Sequence, residues 1–478
     1  MSQESRLEVL NQARAALQKP SPARERLTKL FDEGTFAELD AFVASGEAGA
    51  GVITGYGSIM GCPVYAFSQD GTENSGAMSQ MQALKINKIY EMALKTGAPV
   101  VGIYDSPGAK LDEGFQVLNA YGELLQWSNN LSGVVPQLSL VLGTCAGSAA
   151  MIACSADLVL MSKQAEFFLT APFTAKASGE GDEGAGTAEN AAKSGAVHLV
   201  CENEDAVLEN ARLLLSRMPL NNLSGSPVVE FAAADDAEAL RAACENPDSC
   251  DVKQIAALLA DAESVIELQS AFAPAAFTAF ATLGGFPCAI VGTDRRQNAG
   301  RLDADACAKI ARLVSIADAF SLPVVTLVDT DGFVPSAKAE LAGSLREAAK
   351  LAHVYAEATT AKISVILGNA YGPAYIALAG KNAGADLAYA WPSAAISPLA
   401  PDAAVTILWA DRLADTPRVQ LTEEYKATLA SPLEACKAGV VDDVIDPAAT
   451  RDVLISAIDL LSSKRMPTLP KKHSNMPL

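Results

Sequence analysis

The chain has 478 residues, of which half are apolar, and its formal net charge is −20. This length predicts two domains that can each bury a full core. The acidic charge argues against nucleic acid and anionic membranes as partners. The three histidines show no metal-ligand spacing and the nine cysteines form no CxxC pair, so we expect no metal site and the reduced thiols of a cytoplasmic protein.

The first part of the chain predicts a helical lead-in followed by alternating strands and helices. The lead-in covers residues 1–35, and short strands are expected at 52–59 and 64–68. A helix with regularly spaced apolar positions is expected at 79–95, before a buried strand at 100–104. This alternation is typical of an α/β architecture.

Residues 131–156 contain no charged side chain. Pro136, Gln137 and three glycines interrupt any single helical period, so the segment predicts a buried strand, turn and helix and not a membrane span. We place a glycine turn from Gly143 to Gly147 and the start of the helix at Ser148.

Two segments interrupt the alternation. Residues 174–194, with the acidic glycine run at 179–186, predict a mobile loop. Residues 229–251 predict a linker, which gives an N-terminal domain of residues 1–228 and a C-terminal domain of residues 252–478. A helix is expected near the end of each domain, at 204–217 and at 451–462.

The stretch around the glycine turn occurs twice. Gly143 matches Gly368 and Gly147 matches Gly372, both at an offset of 225 residues (368 − 143 and 372 − 147). Upstream the offset is 224 residues without a gap, and the matched pairs are Gly61 and Gly285, Pro63 and Pro287, Gly76 and Gly300, Pro99 and Pro323, Asp105 and Asp329, and Gly108 and Gly332. A period of this length indicates a duplicated domain and not a solenoid, whose units are far shorter.

Each half carries two glycine turns, at 105–110 and 143–150 in the first half and at 329–333 and 368–375 in the second. A strand that runs into such a turn and a helix N-terminus exposes backbone N–H groups, which can hold an oxygen anion. Two neighbouring turns can aim these donors at one carbonyl oxygen, which suits the enolate of a thioester and needs no titratable side chain. Close helix–sheet packing is the alternative interpretation of each turn alone.

At these motifs the sequence resembles the carboxyltransferase subunits of biotin-dependent acyl-CoA carboxylases and of the sodium-pumping acyl-CoA decarboxylases, of the propionyl-CoA carboxylase beta and methylmalonyl-CoA decarboxylase alpha type. The resemblance runs from the lead-in with Arg24-Glu-Arg-Leu to about residue 460. Asp105-Ser-Pro-Gly-Ala-Lys-Leu-Asp-Glu-Gly is similar to the family's DSGGARxxEG, Cys145-Ala-Gly-Ser-Ala to CAGGA, Gly332-Phe-Val-Pro to GFxPG, Ala356-Glu-Ala-Thr to AEAT, Ala370-Tyr-Gly-Pro-Ala-Tyr to AYGGAY, and Ala390-Trp-Pro-Ser-Ala to AWPxA.

The resemblance implies two tandem crotonase-like domains, the first for the acyl-CoA and the second for carboxybiotin. By motif match, the oxyanion hole for the acyl-CoA falls on Gly147 and Ser148, and the hole for biotin falls on Gly372, Pro373 and Ala374. The same match gives further ligand-binding positions in both halves, namely Gly108, Ala109, Lys110, Gly332, Phe333 and Tyr375.

The resemblance also implies a substrate, a cofactor and partners. The substrate is a CoA thioester of the methylmalonyl-CoA or propionyl-CoA type, and the cofactor is biotin on a separate carrier protein, since the chain has no Met-Lys-Met signature. A biotin carboxylase or a membrane decarboxylase subunit is the expected enzyme partner, because no phosphate-binding GxxxxGK[ST] loop is present. The family forms its active site between two subunits, which implies a homo-oligomer, either a dimer or a hexamer, that is cytoplasmic or peripheral to a membrane complex.

Four residues depart from the family pattern in the turns that carry the chemistry. Pro107 and Pro373 replace glycines, Asp331 replaces a proline, and Ser336 replaces a glycine. Proline has no N–H, so Pro373 empties a donor position.

Two alternative functions therefore remain. One is a catalytically weakened CoA-binding or scaffold subunit of a carboxyltransferase complex. The other is a biotin-independent crotonase-type hydratase or hydrolase, which needs a carboxylate over the thioester α-carbon. Glu113 and Asp112 are the candidates for that carboxylate near the first turn.

Overall fold

A computed structural model describes residues 5–45, 48–181, 184–233, 236–246, 251–467 and 470–477. The chain forms two compact units, Met1–Ser224 and Gly225–Leu478. The unit boundary lies close to the end of the N-terminal domain predicted at residue 228. Within the described residues, no helix is long and apolar enough to cross a lipid bilayer.

The first unit is built on an eight-stranded sheet with the order β1-β4-β5-β6-β7-β8-β10, in which β9 also pairs with β7. The strands are β1 Ala37–Leu39, β2 Ala44–Ser45, β3 Ala48–Gly49, β4 Val52–Ile59, β5 Cys62–Gln69, β6 Val100–Ser106, β7 Gln137–Ala146, β8 Leu158–Ser162, β9 Glu166–Phe168 and β10 Leu199–Cys201. The helices are α1 Arg6–Leu17, α2 Pro22–Leu30, α3 Gln80–Thr96, α4 Phe115–Leu131, α5 Ser148–Ser155, α6 Pro172–Ala177, α7 Ala188–Lys193 and α8 Glu204–Arg217.

The second unit repeats this topology with the strand order β11-β12-β13-β14-β15-β16-β18, and β17 pairs with β15. Its strands are β11 Ile266–Glu267, β12 Ala276–Leu283, β13 Phe286–Thr293, β14 Val324–Thr330, β15 Lys362–Tyr371, β16 Leu387–Ala390, β17 Ala395–Ser397 and β18 Asp443–Val444. Its helices are α9 Ala237–Glu245, α10 Val252–Leu259, α11 Ala304–Ala319, α12 Ala337–Leu341, α13 Ser344–Glu357, α14 Pro373–Ala377, α15 Pro401–Leu408, α16 Arg418–Thr428, α17 Pro432–Lys437 and α18 Thr450–Leu461. The predicted α/β class with a duplicated domain is confirmed.

In both sheets an antiparallel hairpin leads into parallel strands. Strands β4 and β5 pair antiparallel, whereas β5, β6, β7 and β8 run parallel, and β12 to β16 repeat this pattern. Parallel strands bring their carboxyl ends to the same edge of a sheet. The glycine turns that follow β6 and β7, and those that follow β14 and β15, are therefore neighbours within each unit.

Each unit buries its own apolar core between its sheet and its helices. The core of the first unit contains Phe67, Ile86 and Leu124 with less than 3% of each side chain exposed, and α3 and α4 supply the last two. The core of the second unit includes Trp391, whose indole N–H donates to the hydroxyl of buried Thr450 at 2.9 Å. Each sheet is thus held in place by packing within its own unit.

A matched ionic anchor holds the hairpin turn of each unit. The carboxylate of Asp32 accepts from the N–H of Met60 and of Gly61 and from Arg212. Asp261 accepts from Gly284 and Gly285 in the same way, and Arg451 bonds this carboxylate in the second unit. The two arginines each also donate to a backbone carbonyl, of Leu30 and of Leu259 respectively. The duplication therefore extends to contacts that the sequence match did not include.

Three expectations about local structure need correction. Gly143 lies inside β7 and not in a turn, because the turn begins only at Gly147. The segment predicted as a mobile loop at 174–194 contains the end of α6 and all of α7, and residues 182 and 183 of its acidic run lie outside the described residues. The segment 229–251 contains α9, whose Leu240 is buried in the core of the second unit.

Candidate active site

The turn after β7 places a helix N-terminus at the edge of the first sheet. Gly147 has φ 61° and ψ −126°, a backbone conformation that glycine adopts easily and other residues rarely do. An added Cβ would meet no atom within 4 Å, so glycine is favoured here by the backbone conformation and not by lack of space. Its N–H donates to the carbonyl of Phe168 in β9 at 3.0 Å. The next N–H, of Ser148, has no acceptor among the described residues. Ser148 therefore provides the first unassigned donor of this turn.

The turn after β15 has the same backbone path but one donor fewer. Gly372 has φ 56° and ψ −136°, and its N–H donates to the carbonyl of Ser397 in β17 at 2.8 Å. Pro373 follows at the first helical position and has no N–H. Ala374 is thus the first residue after Gly372 with a backbone donor. The two units therefore differ at this turn by one backbone N–H donor.

A second turn in each unit is closed by a hydroxyl group. The Ser106 hydroxyl accepts from the N–H of Gly108 at 3.2 Å, and Thr330 does the same for Gly332 at 3.1 Å. Both glycines have positive φ, of 119° and 109°. The following residues are Ala109 and Phe333, and their N–H groups have no acceptor among the described residues. Each unit therefore presents a second free amide near the first.

In each unit the carboxylate of an aspartate near the end of one strand lies against a glycine of the neighbouring strand. A Cβ added to Gly143 would be 2.0 Å from Oδ1 of Asp105, and one added to Gly368 would be 2.5 Å from Oδ1 of Asp329. No side chain fits at such distances, so these two glycines are required by the close approach of the aspartates. The match of Gly143 with Gly368 reflects this contact and not a turn.

The ion pairs that orient these aspartates differ between the units. In the first unit Arg26 of α2 donates to Oδ2 of Asp105 at 2.8 Å and to both carboxylate oxygens of Glu204 at 2.8 and 2.6 Å. In the second unit Arg295 lies 3.4 Å from Oδ1 of Asp329 and 3.0 Å from Oδ1 of Asp331. Arginine is suited to such sites because its planar fork can serve two carboxylates at once.

The turns of the second unit line a cavity of about 350 Å³. This volume lies within the range of small-molecule sites, which begins at about 300 Å³. Its wall contains both turns together with part of α12, α13 and the segment after β17, and the residues are Asp331, Gly332, Phe333, Glu340, Ser344, Leu345, Ala348, Tyr371, Gly372, Pro373, Pro398, Leu399 and Ala400. Burial raises the pKa of the Tyr371 hydroxyl, so this group stays protonated and can act as a donor.

The comparisons with known proteins assign this arrangement to a family. The model of the carboxyl transferase domain matches residues 21–476. The methylmalonyl-CoA decarboxylase alpha subunit of Veillonella parvula is 38% identical and covers 95% of this chain and 93% of its own length. The carboxyltransferase subunit of propionyl-CoA carboxylase from Haloferax mediterranei is also 38% identical, with the same coverage. This chain belongs to the carboxyl transferase family.

A solved structure supports the assignment to this family, because it matches the fold over the whole chain. Transcarboxylase 12S, crystallised as a hexamer with methylmalonyl-CoA bound, has a TM-score of 0.94 at 34% identity, and the match covers 100% of both chains. The predicted resemblance and the predicted enzyme class are thereby confirmed. The tandem crotonase-like fold is confirmed as well.

The remaining residues that were predicted to bind a ligand fall into two groups, those on the glycine turns and those with structural contacts elsewhere. Gly108, Ala109, Gly332 and Phe333 lie on the turns described above. The Tyr375 hydroxyl is bonded instead to the carbonyl of Val440 at 2.7 Å and the N–H of Lys381 at 3.2 Å, away from the cavity.

The charged residues after the first turn also have structural contacts. Lys110 Nζ reaches the Ser45 hydroxyl at 3.2 Å and the Glu113 carboxylate at 3.5 Å. The other oxygen of Glu113 accepts from the N–H of Gln80 at 2.7 Å and so caps the start of α3. Asp112 is exposed and lies 3.8 Å from Lys110.

Cys145, beside the first turn, is buried, and burial raises the pKa of its thiol. It therefore stays protonated and is unsuited to act as a nucleophile.

Two groups of residues were missed by the sequence analysis. Arg26 lies in the Arg24-Glu-Arg-Leu run that helped to mark the family, and nothing in the run itself indicated its partners. Arg295 and Asn369 both bond Asp331, at 3.0 and 2.7 Å. The available signal was Asp331 itself, because a carboxylate that enters a half-buried turn needs cationic or amide partners.

Proposed function

We propose that this chain transfers a carboxyl group between an acyl-CoA of the methylmalonyl-CoA or propionyl-CoA type and protein-bound biotin. The observation that carries the proposal is the pair of glycine turns at the sheet edge of each unit, with free backbone amides in a family of carboxyltransferases. Two relatives named for methylmalonyl-CoA and propionyl-CoA support the substrate class.

The first unit is proposed to bind the thioester. When the carboxyl group leaves, the electron pair of the broken carbon–carbon bond is delocalised onto the thioester oxygen, which becomes an enolate. The N–H of Ser148 and that of Ala109 from the second turn are the proposed donors to this negative charge, because neither has an acceptor among the described residues. The N–H of Gly147, predicted as part of this hole, is already used by Phe168.

The second unit is proposed to bind biotin, which supplies the ureido nitrogen that accepts or gives up the carboxyl group. The residues present fit such a ring, because the cavity wall combines polar side chains, such as Tyr371, with apolar ones, such as Phe333 and Leu399. The N–H groups of Ala374 and Phe333 are the proposed donors to the ureido oxygen, and Gly372 and Pro373 shape the turn.

The proposed assembly is a homo-oligomer, either a dimer or a hexamer, that works with a separate biotin carrier protein. A biotin carboxylase or a membrane decarboxylase subunit is the proposed third component. The hexameric state of transcarboxylase 12S and the subunit names of the relatives support this proposal. A monomer at micromolar concentration, measured by light scattering after gel filtration, would contradict it.

The direct test uses the purified chain with free biotin and malonyl-, methylmalonyl- and glutaconyl-CoA. We expect biotin-dependent loss of the carboxyl group from at least one of them, with methylmalonyl-CoA the preferred substrate. The same assay without biotin gives the background rate. No biotin-dependent transfer from any of the three at high enzyme concentration would contradict the catalytic proposal.

The second candidate function is a weakened CoA-binding or scaffold subunit. It is favoured by one observation: the N–H of Gly372 is committed to Ser397 and Pro373 has none, so the turn of the second unit retains only Ala374. Tight acyl-CoA binding by calorimetry without biotin-dependent turnover would favour this function over the first. A biotin-independent hydratase is not supported by the contacts of Glu113, which caps α3.

A further inference from the structure

Asp331 places a carboxylate in the wall of the cavity of the second unit. Its backbone N–H donates to the carbonyl of Ala299 at 3.1 Å, which fixes the residue in the turn. The matching residue of the first unit is Pro107, at the same offset of 224 residues that relates Asp105 to Asp329 (331 − 107 and 329 − 105). The two turns have the same hydroxyl closure, so the carboxylate is an addition to a shared backbone frame.

The two oxygens of Asp331 are in different situations. Oδ1 accepts from Arg295 Nη1 at 3.0 Å and from Asn369 Nδ2 at 2.7 Å. Arg301 Nη2 lies 3.6 Å from Oδ2, which is beyond hydrogen-bonding distance. The side chain is 21% exposed. Oδ2 therefore pairs with Arg301 only at ion-pair distance and accepts no hydrogen bond within the described residues.

The charges around Asp331 balance. Arg295 and Arg301 carry two positive charges, and Asp329 and Asp331 carry two negative charges within the same cluster. The four residues together therefore carry no net charge that would attract or repel an anionic ligand. What Asp331 adds is hydrogen-bonding polarity, since an ionised carboxylate can only accept.

The ureido ring of biotin changes its hydrogen-bonding pattern with its carboxylation state. Uncarboxylated biotin has an N–H at N1, whereas carboxybiotin has a carboxylate attached there and no donor. Building on the proposed function, we propose that Asp331 accepts a hydrogen bond from the N1–H of uncarboxylated biotin and so makes the second unit selective for this form.

The test measures binding of two neutral probes by ligand-observed NMR titration of the full-length chain. Biotin methyl ester keeps the N1–H, and N1-methoxycarbonyl-biotin methyl ester lacks it. In the Asp331→Asn variant the amide can turn a donor toward the cavity, so we expect the Kd for biotin methyl ester to rise about tenfold. The Kd for the blocked probe should change by less than about twofold.

Two further variants make the result specific. Asp331→Ala removes the carboxylate without adding a polar group and keeps the backbone N–H that bonds Ala299. It should show the same selective loss, and it provides the measurement if Asp331→Asn does not fold. Glu423→Gln removes a carboxylate that is 65% exposed and lies outside the cavity wall, and it should change neither Kd.

Equal weakening of both probes, or no change, in a folded Asp331 variant would overturn the inference alone, provided that the wild type performs biotin-dependent transfer. A wild type that performs no such transfer and binds neither probe would overturn the proposed function together with the inference.

Discussion

The two units of this carboxyltransferase share a backbone and differ in the groups that the backbone presents. Both have a strand that ends in a positive-φ glycine, a second turn closed by a hydroxyl group, and an aspartate against a glycine. At the helix start the first unit has Ser148 and the second has Pro373. At the second turn the first unit has Pro107 and the second has Asp331.

This comparison separates what the fold requires from what the ligand requires. The aspartate–glycine contact recurs because a Cβ at either glycine would overlap a carboxylate. The residues that differ are those next to free amides or in the cavity wall, where a change alters a donor or an acceptor without disturbing the sheet. We conclude that the two units share the same backbone and the same aspartate–glycine contacts. They differ in the hydrogen-bond donors and acceptors that these turns present.

The largest expected effect follows from giving the first unit the proline of the second. Ser148→Pro removes the N–H proposed to hold the thioester enolate, and the fold should tolerate it because Gly147 and Gly372 have nearly the same φ and ψ. We expect kcat/KM for methylmalonyl-CoA to fall by about 10²–10³. Ser148→Ala, which keeps the N–H, is the matched control and should retain nearly full activity. Equal losses in both variants would contradict the backbone role.

The ion pairs of Arg26 in the first unit predict a large effect on stability. Arg26 is 6% exposed and serves Asp105 and Glu204, so Arg26→Ala leaves two carboxylates without their cation. Because both carboxylates are partly exposed, we expect a loss of about 3 kcal/mol in the free energy of unfolding, at the low end for broken buried pairs.

The control for this prediction lies on the same helix. Lys29 pairs with Asp205, and both side chains are more than half exposed. Lys29→Ala should therefore leave the urea concentration at the midpoint of unfolding nearly unchanged. Urea unfolding followed by tryptophan fluorescence measures both variants. A similar loss in the two would show that burial of Arg26 is not what matters.

Gly143→Ala should have a moderate effect. The new methyl group would overlap Asp105, whose position depends on Arg26, so the carboxylate must move. We expect a loss of about 1–3 kcal/mol, as for other overpacked sites. Gly122→Ala in α4 is the matched control, because its added Cβ meets no atom within 4 Å and alanine favours a helix. Differential scanning calorimetry should show a lower Tm for the first variant and an unchanged or higher Tm for the second.

The smallest effect concerns acid unfolding of the first unit. The N–H of Gly61, and after it the Arg212 guanidinium, hold the pKa of Asp32 at about 2, against an ordinary 3.8. Since the folded state lowers this pKa, the contribution of Asp32 is complete above pH 3.8 and is lost as the pH falls through about 2. Asp32→Asn should lose less stability over this window than the wild type. Circular dichroism during acid titration measures the difference, and parallel curves would contradict the assignment.

Local sequence patterns predicted much of this fold. The helix predicted at 204–217 is found as α8 Glu204–Arg217, and the strand at 52–59 is found as β4. These elements depend on apolar periodicity and caps that lie within the segment, such as Asn203, whose side chain accepts from Ala206. The duplicated turns were visible for the same reason, because glycine marks them directly.

The hydrogen bonds of the site could not be predicted, because their partners are distant in sequence. The N–H of Gly147 is taken by Phe168 and that of Gly372 by Ser397, each on a short additional strand some distance along the chain. Arg26 and Glu204 are separated by 178 residues. Gly143 was assigned to a turn because its true constraint, the carboxylate of Asp105, is visible only in three dimensions.

The measurement that tests the central claim most directly is the biotin-dependent rate of Pro373→Ser. This variant gives the second unit the residue that the first has at the same place and restores the missing N–H. We predict that the rate of carboxyl transfer from methylmalonyl-CoA to free biotin rises about tenfold, while the KM for methylmalonyl-CoA and the Tm stay unchanged. An unchanged or lower rate in a folded variant would show that the proline only stiffens the turn, and would contradict the account of unequal backbone donors.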